Sequence, residues 1–316
     1  MVDLRQRMFD RSAPVAVELR GRLGNQLFQF ATARAMTQSG HPVLVDSRLC
    51  DTTHLRNAIR PEQFRSLRPT ESIAYGVPPR MPGANELVDG AFRRVRGALR
   101  MPDDGPFMRT EQVETVGYDQ SIASVTDPML LRGYFQNEKY FAHCSAEVIA
   151  AFRDAPGSVH EIIGQYRTRQ LPTIALSLRG ASDYEGLGWV LPFDWYVDAI
   201  SAALAVIDHP HLVVMADVPL LADAVAHHLS AFAPATSFGR LAPIEQLHLM
   251  ASCDHAIIAN SSFAWWGAWL GDHRQQREDE RIVIAPRPWV TEGDDILPSR
   301  WTAVDVVRTP DTSTVL

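Results

Sequence analysis

The stretch Ile257-Ile258-Ala259-Asn260-Ser261-Ser262-Phe263-Ala264-Trp265-Trp266-Gly267-Ala268-Trp269-Leu270 leaves few folds open. Its uninterrupted apolar start fits a parallel strand buried on both faces. Asn260, Ser261 and Ser262 are good N-cap types, and the sequence resumes after them as a helix rich in aromatics. A strand that ends at a capped helix start gathers backbone N–H groups and hydroxyls at one point, which suits an anion, most often a phosphate. For one such turn taken alone, a capped core helix whose three Trp fill space is the better reading. The rest of the chain shifts the balance.

With 316 residues, 46% of them hydrophobic and 21% charged, the chain is that of a globular protein, long enough for two domains. We place them at 1–165 and 166–316; one larger domain is the other possibility at this length. A formal charge of −7 and a sequence pI near 5.9 provide no general basic field for nucleic acid or an anionic membrane, so any phosphate must be held by local groups. Cys50, Cys144 and Cys253 are odd in number and widely spaced, which suits thiols in a reducing compartment and offers no paired metal spacing. Met1 to Arg11 lacks an apolar h-region, and no run approaches a membrane span. The expectation is a cytoplasmic protein that would visit a membrane surface only for a lipid-linked acceptor.

Val15 to Leu19 reads as the first strand, Arg20 to Gln26 as a tight turn, and the residues from Leu27 to Gly40 as a helix; Pro42 to Asp46 is the next strand. This βαβ unit lacks the dinucleotide fingerprint, and its Gly-x-x-Gly-Asn turn serves turn geometry and helix capping as readily as ligand binding. Thr52 to Asp127 is thick with Pro, Gly and Arg and reads as long loops and short helices. Met129 to Arg132 is a strand whose continuation, Gly133 to Phe141, either lines a cleft or buries an aromatic helix face.

The second half alternates as a parallel sheet with crossover helices should. Strands are expected at 173–178, 212–216, 236–238, 255–259 and 281–285, and helices at 193–206, 219–230, 243–252 and 263–270. Ligands of such sheets bind beyond the C-terminal strand ends. Those ends deliver Arg179, then Asp217, then Asn260, Ser261 and Ser262. Arg179 matches a diphosphate as a bidentate donor, the two serines supply N–H and hydroxyl donors, and the Asp217 carboxylate can accept from N1–H and the N2 amino group of guanine. Singly, a surface arginine, the cap of the next helix and two capping serines explain them as well; together at successive strand ends they indicate a nucleoside diphosphate site.

Three segments carry a family resemblance: Gly21-Arg22-Leu23-Gly24-Asn25-Gln26-Leu27-Phe28-Gln29-Phe30, Gly133-Tyr134-Phe135-Gln136-Asn137-Glu138-Lys139-Tyr140-Phe141, and Asn260 to Leu270. They resemble the bacterial α-1,2-fucosyltransferase family, glycosyltransferase family 11, from about residue 17 to residue 290. The resemblance implies an α/β, GT-B-like fold of two Rossmann-like domains facing a cleft, with an acceptor-side N-terminal half and a C-terminal half that binds GDP-L-fucose. It implies inverting transfer to a carbohydrate hydroxyl, with no metal and no cofactor beyond the GDP-sugar substrate. By motif position Arg179 resembles the diphosphate-binding arginine, Asp217 the guanine-binding aspartate, and Ser261, Ser262 and Phe263 the pyrophosphate loop. Gly24, Asn25 and Gln26 look like residues that approach the sugar and phosphate from the other half.

The chain departs from the family at one place. Where His-x-Arg-Arg-x-Asp-Tyr is usual, it has Ser177-Leu178-Arg179-Gly180-Ala181-Ser182-Asp183-Tyr184, one residue longer, with Ser177 in place of His and no second Arg. Inverting transfer needs a base for the acceptor hydroxyl and compensation for charge growing on the leaving GDP. Arg179, Ser261 and Ser262 meet the second need. Asp183, at the motif's aspartate, is the preferred base and Glu185 the other candidate; a loop carboxylate that orients Arg179 or Tyr184 explains Asp183 nearly as well. A transferase of another GDP-sugar and a non-catalytic nucleotide-sugar-binding protein are the alternatives to fucosyl transfer.

Overall fold

A computed structural model describes residues 15–38, 43–46, 73–76, 109–112, 117–125, 129–152, 155–180, 184, 187–274, 281–290 and 296–307. The chain divides into two compact units, Met1–Arg153 and Asp154–Leu316, a split 12 residues earlier than the 165/166 boundary read from the sequence. The helix Gly157–Thr168 explains the difference. It carries Ser158, whose hydroxyl donates to Glu245 Oε1 at 2.6 Å, and Tyr166, whose ring lies 4.6 Å from that of His211, both partners within the second unit.

The first unit holds a five-stranded sheet of β1 (Val15–Glu18), β2 (Val43–Asp46), β3 (Ile73–Gly76), β4 (Arg109–Gln112) and β5 (Met129–Arg132), in the order β3-β2-β1-β5-β4. Every pairing is parallel. β3 and β4 lie inside the stretch read from the sequence as loops and short helices; at four residues each they are too short to show a period. The rest of that stretch, apart from 117–125, falls outside the described residues, as does Cys50.

Helix α1 (Leu23–Gln38) starts four residues before the expected Leu27, so Gly24, Asn25 and Gln26 belong to its first turn and not to a loop. Gly and Asn are poor helix formers, which hides the start from propensity. What allows it is Gly21, at φ +76°, which turns the chain so that Gln26 N–H can reach Arg22 C=O at 3.1 Å. The short helices α2 (Gln120–Ala123) and α3 (Ser145–Ala151) complete the described α-helices of this unit, with 3-10 turns at Glu138–Tyr140 and Ala142–Cys144 between them.

After α4 (Gly157–Thr168), the second unit runs β6 (Thr173–Leu178), α5 (Phe193–Leu204), β7 (His211–Ala216), α6 (Pro219–Leu229), β8 (Ala235–Ser237), α7 (Pro243–Ser252), β9 (His255–Ile258), α8 (Ser262–Arg274), β10 (Val283–Arg287) and β11 (Thr302–Asp305). Its sheet has the order β11-β10-β9-β6-β7-β8, all parallel. Counted within the unit this is the 3-2-1-4-5-6 order of a doubly wound sheet, whose direction of winding reverses between β6 and β9. One face of β6, β7 and β9, with Ile174, Leu176, Leu212, Val214 and Ile257, packs under Trp195, Ala199, Ile200 and Ala222 of α5 and α6. Helix α7 packs against both α4 and α8. Trp265, Trp266 and Trp269 of α8 are fully buried, and Trp265 Nε1–H donates to Ile296 C=O at 3.0 Å, so these three rings are core. Two α/β units with parallel sheets agree with the fold that the family resemblance implies.

Candidate functional site

In the second unit the reversal point brings together two of the three strand ends that the sequence singles out. β6 and β9 are direct neighbours, with Ser177 opposite Ile258, and Ala259 N–H donates to Ser177 C=O at 3.1 Å. Beyond β6 stands Arg179; beyond β9 stand Asn260, Ser261 and Ser262. Ser261 C=O accepts the first helical bond of α8 from Trp265 N–H at 2.8 Å, which makes Ser261 the N-cap. The N–H groups of Ser262, Phe263 and Ala264 therefore have no carbonyl one turn back, and the α8 dipole adds positive potential there. Ser177 is buried within β6, while Ser262 and Phe263 are half-buried.

Arg179 is tightly held. Its Nη1 lies 2.8 Å from Asp217 Oδ2, with the two side chains 10% and 21% exposed, and its Cζ sits 4.5 Å from the centroid of the Tyr184 ring. The other Asp217 oxygen, Oδ1, accepts from Gly180 N–H at 3.0 Å. Asp217 is not the cap of α6, a position taken by Val218. Nor are its two oxygens directed together at one outside partner: each has a donor within the unit. Tyr196 of α5 is buried beside Arg179 and Asp217, and burial pushes its hydroxyl well above the ordinary range, so it stays neutral.

The segment after Arg179 is tied back to β9. Tyr184 Oη–H donates to Asn260 C=O at 3.0 Å, Asn260 Nδ2–H donates to Trp189 C=O at 2.8 Å, and the Tyr184 and Trp189 rings meet edge to face at 5.7 Å. Asn260 is 1% exposed, and among the described residues its Oδ1 accepts no hydrogen bond. The sequence marks Tyr184 as the end of the family motif and does not single out Trp189. Their signal was an aromatic five residues past Arg179 and a second five further on. Asp183 and Glu185, the two candidate bases, lie outside the described residues.

In the first unit β1 and β5 are parallel neighbours, and the other two family segments meet at their ends. Gln29 of α1 bridges the strand ends: its Oε1 accepts from Arg20 N–H at 2.9 Å and its Nε2–H donates to Gly133 C=O at 2.8 Å. Gln136 Nε2–H donates to Asn25 Oδ1 at 2.8 Å, and Gln26 Nε2–H donates to Gly21 C=O at 3.1 Å. Arg132 pairs with the buried Glu18 at 3.1 Å. Gly24 is buried and Asn25 half-buried, so of the three residues expected to approach a ligand only Asn25 has more than slight exposure. Gln26, 1% exposed, is part of the turn that starts the helix.

The model of Glycosyl transferase family 11 matches residues 223–283, from α6 through β9 and α8 to the start of β10. Over this segment the chain is similar to glycosyltransferase family 11. The family 11 segment contains Asn260, Ser261, Ser262 and Phe263 but neither Arg179 nor Asp217. Two Escherichia coli proteins are similar to the chain in sequence. The O-antigen biosynthesis glycosyltransferase WbnK is 33% identical over 110 residues, 34% of this chain and 33% of WbnK; an alpha-1,2-colitosyltransferase is 41% identical over 61 residues, 18% of this chain and 19% of that protein. The chain thus spans about a third or less of the length of these relatives. Among solved structures, POFUT1 in complex with GDP-fucose is similar with a TM-score of 0.49 at 13% identity, over 84% of this chain and 97% of that one. The NodZ alpha-1,6-fucosyltransferase co-crystallized with GDP gives 0.45 at 13% identity, over 81% and 92%. At these scores the likenesses carry no inference about the site, and the α/β fold stands on the two parallel sheets.

Cys144 and Cys253 are buried and form no disulfide, and burial pushes their thiols up, to about 11 and about 12 respectively. Among the described residues no group of three or more His, Cys, Asp and Glu side chains could hold a metal ion, and no helix is long and apolar enough to cross a membrane.

Proposed function

We propose that the protein is a glycosyltransferase that moves L-fucose from GDP-L-fucose to a hydroxyl of a glycan or small-molecule acceptor, the 2-OH of a galactoside being the first to test, with inversion and without a metal or a further cofactor. The observation that carries this reading is the pairing of Arg179, at the end of β6, with the Ser261-capped start of α8, at the end of the adjacent β9. An arginine fork and a helix N-terminus beside each other at a reversal point suit a pyrophosphate. The family 11 segment and the likeness to WbnK support transfer of a sugar.

In the proposed reaction the acceptor oxygen attacks the anomeric carbon from the side opposite GDP. A new C–O bond forms as the bond from that carbon to the β-phosphate oxygen breaks with its electron pair. Charge then grows on the diphosphate, where Arg179 and the α8 terminus oppose it. The hydroxyl proton passes to a carboxylate, Asp183 in preference to Glu185. The protein is proposed to act in the cytoplasm, reaching a membrane surface only if the acceptor is lipid-linked. Arg179→Ala is expected to retain the fold by circular dichroism and to lose transfer by at least about a hundredfold, the scale of removing a charge-stabilising donor. Near-normal turnover by that variant would dispose of the reading.

A second donor sugar has its own support. The colitosyltransferase relative is named for a different sugar, and Gly180 stands where the family has a second arginine. Measuring GDP release from a panel of GDP-sugars separates the two; binding of GDP with no release from any of them would leave a nucleotide-sugar-binding protein.

A further inference from the structure

The donor site read above rests on one arginine, and a single guanidinium on a flexible stem is a poor anion seat unless its fork is fixed before the ligand arrives. In this chain the fixing groups are present. Asp217 Oδ2 takes Nη1 at 2.8 Å, the Tyr184 ring lies 4.5 Å from Cζ, and the Tyr184 hydroxyl is anchored at 3.0 Å to Asn260 C=O, at the mouth of the neighbouring strand. Asp217 is fixed in turn by Gly180 N–H at 3.0 Å. The position of the missing second arginine is also built differently. A Cβ on Gly180 would come within 2.6 Å of Leu221 Cδ2, so α6 packs against the space that a longer residue would fill.

We infer that Asp217 and Tyr184 are positioning residues: they clamp Arg179 from two sides and so orient its fork toward the α8 terminus, and Asp217 acts on Arg179 and not on the purine. This inference rests on the donor reading for its ligand but not for its geometry. A carboxylate engaged by a guanidinium on one oxygen and a backbone N–H on the other is poorly set to grip two donors of a base. A ring under the guanidinium restrains its plane without drawing its charge away from a phosphate as a second carboxylate would.

The test uses the full chain with GDP, IDP and inorganic pyrophosphate as calorimetric probes, and the Arg179 Nε–Hε signal by NMR as a readout that needs no ligand. In the wild type that signal is expected to be sharp and slow to exchange; in Tyr184→Leu and Asp217→Asn it is expected to broaden or average. Tyr184→Leu should weaken GDP and pyrophosphate alike by roughly tenfold at an unchanged melting temperature, and Tyr184→Phe, which keeps the ring, should recover most of that loss. Asp217→Asn should weaken GDP and pyrophosphate together and leave the GDP-to-IDP affinity ratio unchanged. A collapse of that ratio with pyrophosphate affinity intact would assign Asp217 to the base and overturn the inference, as would an Arg179 signal that is equally ordered in both variants. If the wild type binds none of the probes, the donor reading fails, and the NMR comparison still decides the clamp.

Discussion

Gly21 shows how a single residue sets up a whole segment. Its φ of +76° is a conformation that L side chains adopt only at a cost, and a Cβ there would sit 2.6 Å from Asn25 Nδ2. Gly21→Ala is expected to lower stability by about 1–2 kcal/mol from backbone strain alone. It should also push Asn25 away from Gln136, their present separation being 2.8 Å. Urea unfolding followed by far-UV circular dichroism would measure the loss; an unchanged midpoint would show that the turn relaxes freely. Residue types of this kind were legible in the sequence. Arg179, Asp217 and Asn260 to Ser262 stood out because strand ends are where a parallel sheet puts its ligands. Their pairings were not legible: the Arg179–Asp217 contact depends on the register of β6 against β7, where Leu178 lies opposite Ala216, and no spacing along the chain encodes that.

At the scale of elements, the strands placed best were those buried on both faces, although the half-buried β8 was also read, at 236–238 against 235–237. The runs in β6, β7 and β9 are predominantly apolar, and each lies within a residue or two of where the sequence placed it. β11, with Thr302 and Asp305 exposed, is an edge strand with no such run, and it was missed. The aromatic helix α8 was found, yet its most demanding position is a small one. Gly267 faces α7, and an added Cβ would lie 2.3 Å from Met250 Sδ, 2.9 Å from its Cγ and 3.0 Å from its Cβ. Alanine gains up to about 1 kcal/mol of helix propensity over glycine, whereas overpacking a dense core costs roughly 1–3 kcal/mol. Because the contact reaches Met250 Cβ and not only the mobile end of the side chain, packing wins. Gly267→Ala is therefore expected to be destabilising by about 1–2 kcal/mol. A double variant with Met250→Ala should recover part of the loss, and a stabilised single variant would show that α7 and α8 are free to separate.

Across the whole molecule the two units can be watched separately, because all seven tryptophans, from Trp189 to Trp301, lie in the second unit. Tryptophan fluorescence reports that unit alone, and far-UV circular dichroism reports both. The second unit also carries two histidines whose protonation opposes folding. Burial lowers the pKa of His211, with the Arg169 charge adding to the effect; burial likewise lowers His255, Arg281 adding and Asp254 opposing. His255 Nδ1 accepts from Ile282 N–H at 3.1 Å, a bond that protonation removes. With folded pKa values below the ordinary 6.5, the unfolded chain binds more protons than the folded one as the solution turns acid. The stabilisation is therefore complete above about pH 6.5 and is lost as pH falls from there through the folded values. The lowered carboxylates Asp223 and Glu245 act in the same direction but only further down, below their ordinary values of 3.8 and 4.5. The urea midpoint by fluorescence should thus fall between pH 7 and pH 5.5, before any carboxylate step. His255→Gln, which keeps an acceptor for Ile282, should flatten that decline. A fluorescence midpoint that is level across this interval would mean that neither ring is held neutral by its burial.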